Sequence, residues 1–498
     1  MSSESFLKSI GSSVFWKSLD RLSSFIKHIV IAATLGLGVQ LDIFYMAVAF
    51  LGVFVFSWAR LFDVVAVPDM VKAWKEGRKE EFRQIASGLF TFSLLISLLL
   101  AIILYLARTG ISEIAIGFDQ DRKRLLAGAI SWLLPVIMLY IPMRSMRAVL
   151  RALRNFSSSY RSEFLISLST LFCVIGFRED DHVLLWSYSV GIVVAFLFLL
   201  NISRQYLFPL CNPFSFFIRR AFRLAPGLLL LQGVGYVFVF TDRIFVSFLS
   251  VGEVSALAYG MMLPALLPTL LALSNSFITV IAEHNNHTQR AERLNDLISM
   301  AIYIGLGGTA FMLIAGHSLI QTVFERGAFS ADNTESVVLA LSAYAWSIVP
   351  MLLITPLDQV FQVERKIGLM VRRSTFGLLA NVILSAWFLF GLKWGVYGIA
   401  LATSISYWFM LLAGLSGLEY LGYSIEKRRH LKWIGWNVLV LVLASGVFSA
   451  LLPSLGSSIF ALFVAALVFG GAMLLAGLSY RGRERDLIKS IIKRCLSR

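Results

Sequence analysis

The stretch KHIVIAATLGLGVQLDIFYM, Lys27–Met46, holds the end of one apolar segment, a glycine-bearing turn and the start of a second segment. Moving 214 positions along the chain lays it on TDRIFVSFLSVGEVSALAYG, Thr241–Gly260, so that Gly38 meets Gly252, Tyr45 meets Tyr259 and His28 meets Asp242. A charged turn follows each apolar pair, VPDMVKAWKEGRKEEF in the first case and IAEHNNHTQRAERL in the second. Six apolar segments separate the copies, so both run in the same direction. Parallel six-helix repeats are a transporter architecture, with the site between the halves. The pattern predicts an all-α polytopic membrane protein of 14 transmembrane helices: two six-helix lobes around a central cavity, plus two C-terminal helices.

Composition agrees with that class. The chain has 498 residues, 58% of them hydrophobic and 15% charged, with a mean hydropathy of +0.79. A soluble domain of this size cannot bury so much apolar surface, and the surplus must face lipid. At about 20 residues per span, fourteen segments qualify, near 13–36, 41–66, 84–107, 126–150, 159–177, 182–204, 223–249, 253–281, 296–320, 335–361, 370–391, 395–418, 433–453 and 457–480. The expected division is an N-lobe over 1–210, a C-lobe over 211–421, and helices 13–14 with a basic tail over 422–498. Linkers are short, which leaves no room for a soluble enzyme domain. MSSESFLKSIGSS at the front lacks the pattern of a removable signal peptide. Cys173, Cys211 and Cys495 are scattered and odd in number, offering neither a disulfide framework nor a metal cage.

The net charge of +15 is distributed by topology. Alternate turns and both ends carry 33 of the 44 Lys and Arg residues, and the opposite turns carry seven. By the positive-inside rule both termini lie in the cytoplasm. Contact with anionic membrane lipids is a secondary use of this charge, and nucleic acid is not an expected partner. Four cations remain inside spans: Arg21, Lys27, Arg60 and Arg243. A charge facing lipid costs roughly 2.5–3.5 kcal/mol even on a lenient scale. On the first helix Lys17, Arg21, Ser24 and His28 share one face, with Asp20 and Lys27 on a neighbouring stripe, while Leu22, Phe25, Ile26, Ile29 and Val30 lie opposite. Such a stripe suits a water-filled cavity. Arg60 with Asp63, and Arg243 beside Asp242, are expected to point into the same space. Surplus positive charge there suits an anion, and guanidinium groups suit phosphate oxygens.

VFERGAFSADNT, from Val323, resembles the segment after helix 9 in the MurJ/MviN family of lipid II flippases, with Glu325, Arg326, Gly327 and Phe329 the most specific residues. Phe324 and Phe329 are expected at the membrane interface, with helix 10 starting at Asp332-Asn333. LGLGVQLDIFYMAVAF, with Asp42, resembles the family's turn between helices 1 and 2. LRALRNFS is similar to the end of helix 4, and NVILSAWFLFGLKWGVYGIALATSISYW to helices 11–12. The resemblance implies a V-shaped pair of lobes around a cationic cavity, with a groove for a lipid tail at helices 13–14. It implies a flippase in the bacterial inner membrane that carries an undecaprenyl-pyrophosphate-linked saccharide, lipid II for peptidoglycan synthesis, from the cytoplasmic to the outer leaflet. Arg21 matches one family arginine, and Lys27 replaces another. The helix 2 arginine falls near Val55, with Arg60 about a turn away as substitute; the helix 8 arginine falls at Met262. For the family's sodium site the matching residues are Asp242, Asn381 and Thr403, with Ser385 in place of a second Asp. Sodium or proton coupling and the membrane potential are the expected drivers, with no other cofactor. A monomer is expected, with cell-envelope synthesis enzymes as candidate associates. Rival readings are a related flippase for an exopolysaccharide unit and a multidrug-type cation antiporter, the latter at odds with the surplus of intramembrane cations.

Overall fold

A computed structural model describes residues 3–58, 66–207, 235–271, 287–454 and 458–496, and among these no strand occurs. Two compact units divide the chain: Met1–Ser255 with Arg326–Phe329, and Ala256–Glu325 with Ser330–Arg498. The first unit contains α1 (Ser3–Leu35), α2 (Val39–Leu51, continued by a π turn at Gly52–Phe56) and α3 (Val67–Lys75). It continues with α4 (Lys79–Leu106), α5 (Arg108–Ser112), α6 (Gln120–Trp132), α7 (Leu134–Ala152), α8 (Phe156–Gly176) and α9 (Val183–Ser203). Helix α10 follows over 235–246. Helix α11 (Glu253–Leu271) begins in the first unit and runs into the second. The second unit then holds α12 (His287–Phe324), α13 (Ala331–Ala345), α14 (Ile348–Val363) and α15 (Ile367–Ala386, continued by a π turn at Trp387–Gly391). Its last helices are α16 (Gly395–Tyr420), α17 (Lys427–Leu451), α18 (Ser458–Ser479) and α19 (Arg483–Leu496).

Eight of the described helices are long and apolar enough to cross a membrane, and two bent pairs, α6–α7 and α13–α14, meet the test together. Two of the fourteen expected spans, 13–36 and 159–177, form helices that fall outside this set. The reason lies in their packing: α1 and α8 lie along each other, and α8 buries Ser158, Ser159, Ser162, Ser167 and Thr170. A helix side covered by protein need not be lipid-like. Helix α1 is also about 50 Å long at 1.5 Å per residue, well beyond a hydrocarbon core of ~30 Å. The expected span 223–249 is described only from residue 235, and 253–281 only as far as 271.

The two bent pairs restate the 214-residue repeat. Their helices turn by 46° and 50°. Trp132 and Trp346 stand at the two breaks and Pro142 and Pro356 lie inside the following helices, each pair 214 positions apart. Breaking a helix frees carbonyls that hydrocarbon cannot solvate, so neighbouring side chains must supply donors. Ser189 Oγ donates to the Trp132 carbonyl at 2.7 Å. In the second unit Ser404 Oγ donates to Ala343, Thr309 Oγ1 to Ala345 and Trp408 Nε1 to Trp346, each at 2.8 Å. Both bends are therefore built into the packing of their units.

Candidate functional site

Helix α1 presents its charges in a different order from the expected single face. Arg21 is exposed, Lys17, Ser24, Lys27 and His28 are half-buried, and Asp20 is buried. Asp20 turns towards α7 and α8, where Arg147 is buried and donates from Nε to Ser162 Oγ at 3.0 Å and from one amino group to Glu163 Oε1 at 2.7 Å. Arg144 reaches the same carboxylate at 3.9 Å. Glu163 lies within electrostatic reach of Arg147, Arg144, Arg21 and Arg151, and Asp20 within reach of Arg21, Arg147 and Lys27. The result is a cluster of five cations against two carboxylates, open at Arg21. The sequence reading assigned Arg144, Arg147 and Arg151 to a cytoplasmic turn and missed this role. The available signal was Glu163, the single acid within the segment 159–177.

A second group forms around Tyr45. Its hydroxyl lies 3.4 Å from His28 Nδ1, and the Arg243 guanidinium stands 5.8 Å from its ring centre. Arg243 is buried and donates to the Val254 carbonyl at 2.6 Å. The neighbouring Asp242 is also buried. Thus the structure brings His28 and Arg243 to one aromatic ring, while Arg60 and Asp63 lie outside the described residues. Val55, where the resemblance expects an arginine, is fully buried in the π turn of α2. Around that turn Phe56 stacks near Tyr140 and Tyr236, with ring centres 4.3 and 6.4 Å away.

Asp42 is fully buried and caps the start of α11. Its carboxylate accepts from the backbone N–H of Gly252 at 2.7 Å and of Ser255 at 2.8 Å, and from the Ser255 hydroxyl. A carboxylate at a helix N-terminus satisfies orphan donors and meets the positive end of the helix dipole. The ERGAF segment is also a structural clasp. Gly327 has φ +62°, and a Cβ there would stand 2.2 Å from the Ala33 carbonyl oxygen. That carbonyl accepts from the Ala328 N–H at 2.8 Å. Glu325 accepts from Thr334 Oγ1 at 2.7 Å, and Arg326 begins the short stretch that belongs to the first unit. Phe324 and Phe329 are fully buried, which corrects their expected place at the membrane interface. Helix α13 starts at Ala331, one residue before the expected Asp332-Asn333, because Ser330 forms a capping box with Asn333.

In the second unit Asn381 and Thr403 are buried and in contact, Asn381 Nδ2 donating to Thr403 Oγ1 at 3.0 Å. Ser385 is buried one turn along α15. These are neutral oxygen donors of the kind a hard cation accepts, but fewer and less charged than a strong site uses. Asp242 belongs to the other unit.

The family model described as "Lipid II flippase MurJ" matches residues 31–470. This chain belongs to the MurJ family. Among curated MurJ relatives, a probable lipid II flippase of Thermotoga maritima is 24% identical over 395 residues, covering 78% of this chain and 80% of that protein. One from Rhizobium tropici is 24% identical over 438 residues, covering 83% and 79%. A solved MurJ structure in an inward closed conformation superposes with a TM-score of 0.77 at 20% identity, over 96% of this chain and 99% of that one. An inward-facing multidrug MATE transporter matches at 0.66 and 14% identity, over 82% and 95%. The chain is thus a multi-pass membrane transporter of MurJ fold.

Proposed function

We propose that this chain flips lipid II from the cytoplasmic to the outer leaflet by alternating access. The observation that carries this reading is the surplus of positive charge along α1. Arg21 is exposed and backed by Lys27 and the Arg147 cluster within a MurJ fold. A pyrophosphate is the anion that this arrangement suits. Arg21 makes first contact, Lys27 offers a point charge, and Arg60 and Arg243 complete the set. Lysine grips phosphate less directionally than arginine, which favours rapid release over tight holding. With both termini cytoplasmic, the inside-negative potential acts on any moving cavity charge at roughly 2.3 kcal/mol per charge per 100 mV. Sodium or a proton is the candidate coupling ion; Asn381 and Thr403 offer oxygen donors within the second unit, and Asp242 and His28 are the candidates within the first. The protein works as a monomer.

Complementation tests the reading. Bacteria depleted of their own lipid II flippase should grow when they express this chain, and should fail with Arg21→Ala at equal membrane levels. Growth with Lys27→Arg is also expected. No rescue by the well-inserted wild-type chain would overturn lipid II as cargo and point to another lipid-linked saccharide.

A further inference from the structure

The second unit contains a cavity of about 380 Å³. Helix α17 packs on α12 and α18, and residues of α12, α14, α16 and α17 line the cavity. The walls are leucine and isoleucine, with polar groups confined to one end. There Lys427 and Glu419 pair at 2.8 Å, with Ser416 and His430 beside them. The opposite end is closed by Trp408, whose indole N–H holds the Trp346 carbonyl at the bend. Leu412 and Leu431 line the cavity and are also more than half exposed, so one flank is open to hydrocarbon.

We infer that this cavity binds a single anionic glycerophospholipid of the cytoplasmic leaflet, one acyl chain inside and the phosphate at Lys427. Length favours this occupant. Trp408 to Glu419 on α16 covers about 16 Å at 1.5 Å per residue, which is close to half of a ~30 Å hydrocarbon core. A chain reaching from headgroup level to the bilayer midplane fills that depth, whereas a far longer polyprenyl tail overruns it. Charge favours it too: Lys427, Arg428 and Lys432 are all exposed on the first turns of α17, and cations near the cytoplasmic surface attract anionic lipids. A bound chain would rest on Trp408 and thereby hold the side chain that satisfies the α13–α14 bend. No α18 residue lines the cavity, so it is not the groove between helices 13 and 14 that the resemblance implies for the cargo's tail, and the lipid assignment does not depend on which saccharide is carried.

Native mass spectrometry of the full chain, released from membranes containing phosphatidylglycerol and phosphatidylethanolamine, tests the assignment. A single phosphatidylglycerol should stay bound. Ser416→Trp, which fills the cavity from an exposed position, should weaken retention about tenfold, and Lys427→Glu should shift retention from phosphatidylglycerol to phosphatidylethanolamine. Thermal unfolding in phosphatidylglycerol nanodiscs checks that both variants fold. Should Ser416→Trp fail to fold, Leu412→Trp, at another exposed lining position, takes its place. The absence of a retained phospholipid on the wild-type chain, retention unchanged in the cavity-filling variant, or an undecaprenyl lipid held in its place would each overturn the proposal.

Discussion

At the scale of single residues, the decisive positions are those where the backbone or a buried charge leaves no alternative. Gly327 combines a left-handed φ with an Ala33 carbonyl that occupies the place of a Cβ. Gly327→Ala should therefore cost more than the ~1–2 kcal/mol of the left-handed conformation alone. Gly77, at φ +73° with open space around it, is the control: Gly77→Ala should lose only about that conformational cost. Thermal unfolding in detergent should rank the two in that order, with an equal loss at both refuting the clasp. Arg147 is the second case. Removing a partner from a buried pair costs several kcal/mol because a charge is stranded. Here Arg144 remains 3.9 Å from Glu163, so Arg147→Ala should destabilise by ~3 kcal/mol or somewhat less. Adding Glu163→Gln should recover part of the loss, which unfolding of the double variant will report. Both residues stood in plain view in the sequence, yet their pairing did not. Arg147 looks like one more member of a basic turn until α8 places Glu163 beside it, and contacts across 16 residues and two helices leave no periodic trace.

At the scale of elements, apolar periodicity located most helices but not their partners. Segments 84–107, 182–204, 395–418 and 457–480 became helices with boundaries shifted by only a few residues, since long hydrophobic runs in a membrane have one solution. Helix α1 was legible as a helix, whereas the split between exposed Arg21 and buried Asp20 was not. The N-terminal ends of α12, α17 and α19 show the same limit. Arg429 reaches Glu484 at 2.5 Å and Asp296 at 3.5 Å, and Arg483 reaches Asp296 at 3.0 Å. His430 bridges Asn295 and Ser299 at 2.9 and 3.3 Å. Nearby, Tyr423 donates to Glu364 at 2.7 Å, and burial with that carboxylate pushes its phenol up to about 12. The basic tail that looked topological is thus docked through a buried acid. A double-mutant cycle on Arg429→Ala and Glu484→Ala should show a coupling of roughly 0.5–3 kcal/mol. Additive effects would mean that α19 is merely adjacent.

For the whole molecule, the fold was readable because three independent signals agreed: hydropathy, the alternation of basic turns and a repeat of 214 residues. The candidate site showed in the sequence only in kind, as an excess of cations inside apolar segments. Its membership depends on side-chain directions that one sequence does not encode. Orientation in the membrane is tested by labelling. Single cysteines introduced at Ser2 and at Ser497, in a background lacking Cys173, Cys211 and Cys495, should resist a membrane-impermeant thiol reagent in intact cells and react after permeabilisation. A cysteine at Asp121, on the opposite turn, should react without permeabilisation, and the reverse pattern would invert the topology. The family match to residues 31–470 makes the flippase reading economical, and complementation decides whether lipid II is the cargo.

The matched bends at Trp132 and Trp346 carry a consequence for how such a chain can evolve. The two copies of the repeat keep nearly the same angle, 46° and 50°, while the residue that donates to each freed carbonyl differs, Ser189 at Trp132 and Trp408 at Trp346. Angle is then the inherited quantity and side-chain chemistry the negotiable one. New cargo preferences should consequently arise from substitutions on α1 and its neighbours, while changes that straighten either bend should be lost from any population, whatever is being carried.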